Sequence, residues 1–213
     1  MIEFDSETLN AYSQELAFCG NSLLDTVHHT GDTGLLHEFW DVFPTFGDEP
    51  LAEAAAACKA FADDAERREE AGEDPATEVS VEFTKLFVGP PRPAAAPWET
   101  FYRGGGDRQD GPKVGFGEAT FEMRQQLRDA GLELSNENNQ YADHMGIELL
   151  LASIYADRAS KGDEASAESL KSFVAAHPLK WIGAFRAAVD AAAPGGYYSH
   201  IVALAEALLN LAR

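Results

Sequence analysis

The feature that most constrains the fold is an apolar stretch at residues 145–156, which follows a polar segment at residues 136–144. Almost every residue of the stretch is apolar, so apolar side chains would fall on every face of a helix. A helix without a polar face has to be covered by neighbouring elements on all sides. We therefore predict that residues 136–157 contain the central helix of the domain.

The polar residues at the start of this stretch admit two interpretations. Asn138, Asn139, Asp143 and His144 precede the apolar run, where short polar side chains can satisfy the free N–H groups of a helix. Glu148 is the one charge inside the run, and it lies four residues after His144 on the same helical face. These side chains either cap the helix and tie the structure together or face a ligand.

Length and composition exclude several classes of protein. The chain has 213 residues, which is enough for a sizeable core, and no apolar run approaches the ~18 residues of a membrane span. The first ten residues lack the basic and apolar regions of a signal peptide. Cys19 and Cys58 show no CxxC spacing, so we expect buried thiols rather than a disulfide or a metal pair. We expect a cytoplasmic protein with one domain at 1–213.

The net charge of −20 is unusual for a chain of this size. Residues 1–58 contain eleven Asp or Glu and no Lys or Arg. Such a surface repels nucleic acid and anionic lipid and attracts a basic partner. Solubility and adaptation to a salty cytoplasm explain the same charge, so both interpretations stay open.

Turn residues divide the chain into segments with apolar residues at helical spacing. Neither a period-two alternation nor an internal repeat is present. We predict an all-α protein, a single bundle of about 8–10 helices. Besides the central helix, the predicted helices cover residues 6–27, 35–42, 48–71, 77–88, 118–130, 164–176, 181–193 and 197–212.

A Pro- and Gly-rich segment at residues 89–117 separates two helical halves, at about 1–88 and 118–213. Its 29 residues include five prolines and seven glycines, so we expect no regular element within it. Connections in compact domains usually have ~4–6 residues, and much longer ones are often functional or disordered. Trp98, Phe101 and Tyr102 argue against plain disorder, because aromatic side chains need a packing partner.

The common catalytic signatures are absent from the sequence. The glycine-rich run at 104–117 is not a phosphate-binding loop, because Lys113 follows Pro112 and no Ser or Thr comes next. His144 and Glu148 have helical metal-ligand spacing, but no HExxH motif and no third ligand is evident. A GxSxG nucleophile elbow is also missing. We predict a protein that is not an enzyme and needs no cofactor, and whose loop and polar helix start recognise a peptide.

Three blocks of sequence support this hypothesis: FTKLFVGP at 83–90 with PWETFY at 97–102, DHMGIEL at 143–149, and FVAAHPLKW at 173–181. They are similar to the patterns YxxLFxGP…PWESVY, EPxDHxGxEL and FxxxHLxPW of the TorD/DmsD family of cytoplasmic chaperones for redox-enzyme maturation. The resemblance spans roughly residues 83–200. Two departures stand out: Gln140-Tyr141 replaces the family's Glu-Pro, and Lys180 replaces the proline before Trp181.

The resemblance implies an all-helical fold without catalysis. It implies binding of the twin-arginine signal peptide of a molybdopterin-containing oxidoreductase, and of the body of that enzyme, until its cofactor is inserted. It implies neither nucleic-acid binding nor membrane insertion, and the chain could be a monomer or a homodimer. The residues predicted to bind the peptide are Trp98, Phe101, Tyr102, Asp143, His144 and Glu148.

Within this site we expect Asp143 to pair with a leader arginine, His144 to be a hydrogen-bonding neighbour, and Trp98 to form an apolar wall. The alternative role is structural, with Asp143 capping the helix and His144 fixing the loop. Two other functions also remain open. One is an assembly chaperone for a nitrate-reductase-type subunit that is not exported; the other is a metal-dependent enzyme that uses Asp143, His144 and Glu148.

Overall fold

The computed structural model describes residues 5–89, 91–103, 116–134 and 140–213. Within these ranges the chain forms helices and no strand, which confirms the all-α prediction. The α-helices are α1 Ser6–Ser22, α2 Val27–Thr30, α3 His37–Asp41, α4 Glu49–Glu70, α5 Pro75–Phe83, α6 Glu99–Arg103, α7 Glu118–Asp129, α8 Met145–Ser160, α9 Glu164–Ala176, α10 Ile182–Ala192 and α11 Tyr197–Leu211. Short 3₁₀ turns lie at Thr33–Leu35 and Pro178–Lys180, and a π-helical segment, Thr84–Val88, continues α5.

The described ranges hold more helices than the 8–10 expected, because two short ones, α2 and α6, were not predicted as separate helices. One of these, α6, corrects the prediction that residues 89–117 contain no regular element. The predicted helix 6–27 is likewise divided, since α1 ends at Ser22 and α2 begins at Val27. Asn138 and Asn139 lie outside the described residues.

Aspartates start four of the longer helices. Each accepts a hydrogen bond from a free backbone N–H of the first turn, at 2.8–3.1 Å, and its negative charge lies at the positive end of the helix dipole. These caps are Asp5 for α1, Asp48 for α4, Asp74 for α5 and Asp163 for α9. Part of the acidic character of the chain therefore has a local structural use.

The predicted central helix is confirmed as α8, whose side chains from Met145 to Leu149 are all buried. It packs against α1 on one side and α9 on another. The contact with α1 is a backbone approach, because a Cβ atom added at Gly146 would lie 2.6 Å from the Gly20 carbonyl oxygen. A Cβ added at Gly20 would in turn lie 2.9 Å from the Gly146 carbonyl oxygen. Only glycine fits at this crossing.

One buried apolar cluster extends through helices from both halves of the chain. The C-terminal helix α11 packs against α4 and α1, and the Tyr12 hydroxyl donates a 2.9 Å hydrogen bond to the Leu208 carbonyl oxygen. Cys19 and Cys58 are free and buried in this cluster, as predicted. The division of the chain into domains stays a prediction, and a core shared by both halves favours one domain. None of the described helices combines the length and apolarity needed to cross a membrane.

Candidate functional site

The segment before α6 pairs with the start of α8. The Glu99 N–H donates to the Asp143 carbonyl oxygen and the Met145 N–H donates to the Pro97 carbonyl oxygen, both at 2.9 Å. This isolated antiparallel bridge joins Trp98 to His144, and their rings lie 6.2 Å apart in an edge-to-face arrangement. The structure thus brings Trp98 and His144 of the predicted site together across 46 positions of the sequence.

Asp143, which immediately precedes the N-cap of α8, forms side-chain hydrogen bonds with the starts of α6 and α7. Its side chain is fully buried; Oδ2 accepts from the Thr100 N–H at 3.0 Å, and Oδ1 accepts from the Thr120 hydroxyl at 2.8 Å. Thr120 belongs to α7, so a single carboxylate connects three helix starts. In this conformation both oxygens are engaged and neither is accessible to a ligand.

His144, rather than Asp143, is the N-cap of α8. Its backbone is extended, and its Nδ1 accepts a 3.0 Å hydrogen bond from the Gly146 N–H. The two residues therefore exchange the structural roles that we considered for them. Burial lowers the pKa of His144 to about 3, so the imidazole is neutral at physiological pH. Its Nε2 is buried, with no hydrogen-bond partner in the described part of the chain.

Glu148 lies in a buried polar cluster with Glu99 and His177, which we call the carboxyl cluster. Glu99 and Glu148 are fully buried, and the Glu99 Oε2 atom lies 2.9 Å from the His177 Nδ1 atom. The Trp181 indole N–H donates to the Glu148 Oε2 atom at 3.0 Å. Arg103 closes the cluster on one side, since its Nε atom is 3.1 Å from the Glu99 Oε1 atom.

The electrostatics of the cluster favour a neutral Glu148. Burial raises the pKa of Glu148 well above its usual value, and the neighbouring Glu99 and Asp143 carboxylates raise it further. The Trp181 hydrogen bond opposes this shift but does not reverse it. A protonated Glu148 can donate a hydrogen bond to the neighbouring Glu99 carboxyl group.

The carboxyl cluster is also the place where a cation would fit. One ligand atom from each of Glu99, Glu148 and His177 lies within 4.8 Å of the others, and two carboxylates with an imidazole suit a divalent metal. Among the described residues, Asp143 and His144 do not belong to this group, so it differs from the set Asp143, His144 and Glu148 of the alternative in which the protein is a metal-dependent enzyme. The Arg103 guanidinium beside Glu99 already supplies a positive charge there.

Aromatic rings form an exposed surface next to the bridge. Trp98 contacts Tyr141, Tyr141 contacts Phe116, and Phe116 contacts Phe121, with ring centroids 5.0–6.1 Å apart. We call these four residues the aromatic strip. Phe116, Phe121 and Tyr141 are 40%, 56% and 41% exposed, whereas Trp98 is half-buried. Exposed apolar patches of this kind mark interaction sites more often than isolated apolar residues do.

The six residues predicted from sequence thus fall into two layers. Trp98, Phe101 and Tyr102 are half-buried, and Tyr102 stacks on Trp181 with ring centroids 5.3 Å apart. Asp143, His144 and Glu148 are fully buried beneath them.

Sequence reasoning did not select the other members of the site: Tyr141, Phe116 and Phe121 in the aromatic strip, and Glu99, Arg103, His177 and Trp181 around the carboxyl cluster. His177 and Trp181 were visible in the third sequence block, and Tyr141 was noted only as a departure from the family pattern.

The comparisons with known proteins agree with the motifs. The sequence model of the family described as nitrate reductase delta subunit matches residues 47–187, which is most of the chain. The chain belongs to this family. The match includes the bridge, the aromatic strip and the carboxyl cluster, and it supports the TorD/DmsD type of chaperone that the three sequence blocks indicated.

Curated relatives in this family carry the name Tat proofreading chaperone DmsD. The proteins from Salmonella typhi and Salmonella typhimurium LT2 are each 28% identical over 123 residues, or 58% of this chain and 51% of the relative. The protein from Salmonella paratyphi A is 33% identical over 75 residues, or 35% of this chain and 34% of the relative. The chain thus spans about half the length of the first two relatives.

Proposed function

We propose that this protein is a cytoplasmic chaperone, without catalytic activity, for the maturation of a molybdopterin-containing oxidoreductase. It binds the twin-arginine signal peptide of that enzyme and holds the enzyme until its cofactor is inserted. Membership of the family and the name of its DmsD relatives support this class of function. The observation that carries the proposal is the exposed aromatic strip beside the start of α8.

The strip suits the apolar part of a signal peptide. Such a segment has no charged side chains, so its binding depends on apolar contact area, which aromatic rings supply at low cost in side-chain entropy. The bridge between Trp98 and His144 fixes one end of the strip, because backbone hydrogen bonds hold the segment around Trp98 against α8. A surface held in place loses little freedom when a ligand binds.

The six predicted residues then have different tasks. Trp98, Phe101 and Tyr102 are accessible enough to contact the peptide, together with the other members of the aromatic strip. Asp143, His144 and Glu148 position them from below, since Asp143 binds the start of α6 and Glu148 holds Trp181 under Tyr102. A direct pair between Asp143 and a leader arginine would require the exposure of a carboxylate that is buried in this conformation.

Fluorescence anisotropy with a labelled peptide tests the proposal. The probe carries an Arg-Arg pair followed by an apolar segment, and the variants are Tyr141→Ala and Phe121→Ala. Each should weaken binding by about tenfold, as expected for an aromatic anchor, while the melting temperature changes little. Val42→Ala is the control, because Val42 is 80% exposed and lies beside α3.

Two results would contradict the proposal in different ways. Absence of peptide binding by the wild-type protein rejects the signal-peptide function. Binding that both Tyr141→Ala and Phe121→Ala leave unchanged rejects the aromatic strip as the contact surface and leaves the function intact.

The second candidate is an assembly chaperone for a nitrate-reductase-type subunit that is not exported, and the family description favours it. The two candidates differ in what the client presents. A client oxidoreductase prepared with and without its leader separates them by pull-down: a leader-dependent interaction supports the first candidate, and equal capture of both forms supports the second.

A further inference from the structure

Arg103 is surrounded by acceptors from three helices. Its Nε atom lies 3.1 Å from the Glu99 Oε1 atom on α6, Nη1 donates to the Glu122 carboxylate on α7, and Nη2 donates to the Ala176 carbonyl oxygen at 3.4 Å. Ala176 is the last residue of α9, so its carbonyl lies at the negative end of that helix dipole. We call these three acceptors the guanidinium cradle.

Two carboxylates, Glu99 and Glu122, share the single positive charge of Arg103 in the cradle. The neutral Glu148 carboxyl group lies next to Glu99, and its Oε1 atom is fully buried with no hydrogen-bond partner within the described ranges. The pKa of Arg103 is raised: partial burial lowers it, but the hydrogen bond to Glu122 and the charges of Glu99 and Glu122 outweigh this. The site is therefore built for a planar cation with several donors, which distinguishes guanidinium from ammonium.

Arg103 is also held loosely enough to leave. Its side chain is 30% exposed, its partner Glu122 is 41% exposed, and its contact with Ala176 is long. Water can replace Arg103 at the partly exposed Glu122, whereas the fully buried Glu99 carboxylate needs another cation when Arg103 leaves. The aromatic strip is adjacent along α7, where Phe121 immediately precedes Glu122.

We propose that the cradle is a guanidinium-binding subsite that Arg103 fills in the free protein and an arginine of the bound peptide takes over. The takeover step rests on the proposed function, since it requires a peptide that carries arginine. Arg103 then acts as an internal competitor. The apparent affinity for the peptide equals the intrinsic affinity multiplied by the fraction of time that the cradle is free of Arg103. Occupancy of about 90% would weaken binding about tenfold.

The first experiment tests the subsite without any peptide. Arg103→Ala is melted with and without agmatine, a small guanidinium compound, and with putrescine, which lacks that group. Agmatine should raise the melting temperature of this variant more than that of the wild type, and putrescine should not. Arg186→Ala is the matched control, because Arg186 also pairs with two carboxylates, those of Glu206 and Asp190. Equal agmatine shifts in all three proteins would overturn the subsite.

The second experiment measures the takeover with the labelled Arg-Arg peptide and a Lys-Lys version of it. Arg103→Ala should bind the Arg-Arg peptide about tenfold more tightly than the wild type does, with no comparable gain for Lys-Lys. If Arg103→Ala does not fold, Arg103→Gln is used in its place. Unchanged or weaker binding of the Arg-Arg peptide overturns the takeover. If agmatine raises the melting temperature of Arg103→Ala while neither the wild type nor any variant binds the peptide, that combination supports the subsite and rejects the signal-peptide function.

Discussion

Replacing Glu148 by Gln tests the protonation of the carboxyl cluster. In the folded protein burial and the neighbouring carboxylates keep Glu148 protonated, whereas the unfolded chain releases this proton above pH 4.5. Rising pH therefore favours the unfolded state of the wild type by up to about 1.4 kcal/mol per pH unit from this group. Glu148→Gln removes this dependence, because the amide does not ionise.

The amide also suits the observed contacts. Its oxygen can accept from the Trp181 indole N–H, which lies 3.0 Å from the present carboxyl, and its NH₂ group can donate toward Glu99. The variant should thus gain stability relative to the wild type as pH rises from 5 to 7, by at most about 1.4 kcal/mol per pH unit. Below pH 4.5 the two proteins should have nearly the same stability.

Urea denaturation at pH 4.5, 5, 6 and 7 measures the difference in unfolding free energy. Glu168→Gln serves as the control, because the Glu168 side chain is 81% exposed and its one ion pair, with Lys171, is 3.9 Å long. A difference between variant and wild type that stays constant across these pH values would refute the argument and show that native Glu148 is ionised. Repeating the series with Zn²⁺ and with EDTA identifies a bound cation, which would stabilise the wild type alone.

Three further changes test the buried polar groups. Burial raises the pKa of Glu15 to about 9, so Glu15→Gln should gain stability over the wild type as pH rises from 5 to 8, measured by urea denaturation. His144→Asn should show the opposite trend. It keeps an N-cap and loses a group whose pKa is lowered from 6.5 to about 3, so its relative stability should increase as pH falls from 6.5 to 4.5. Thr120→Val leaves one Asp143 oxygen unpaired, and thermal melting should show a loss of about 1.5–3 kcal/mol.

The helical class and the central helix could be predicted because both depend on local patterns. The apolar run at 145–156 has no polar face, and α8 is buried accordingly. The aspartate caps and glycine breaks set most helix ends within a few residues. The short helix α6 was missed because the prolines and glycines were counted over all 29 residues, although none lies within Glu99–Arg103.

The exchange of roles between Asp143 and His144 could not be predicted, because a cap depends on backbone geometry. The bridge to Glu99 and Pro97 holds the start of α8, so His144 adopts the extended cap conformation and Asp143 faces Thr100. The carboxyl cluster was invisible for a different reason: Glu99, Glu148 and His177 come from three helix regions that only the packing brings together. The aromatic strip combines residues that seemed unrelated, since Phe116 follows a glycine-rich run and Phe121 lies on an exposed helical face.

The glycine crossing of α1 and α8 links a distant position to the site. Gly146 follows the bridge and the cap by only two residues, so any displacement of α8 at this point also displaces His144 and the segment that holds Trp98. A methyl group at Gly20 would clash with the Gly146 carbonyl oxygen and displace the start of α8, against which the segment around Trp98 is held. Gly20 touches none of the strip, yet its lack of a side chain sets the orientation of that surface. The first helix, which has no residue in the three family blocks, therefore helps to position the surface for which we propose a binding role.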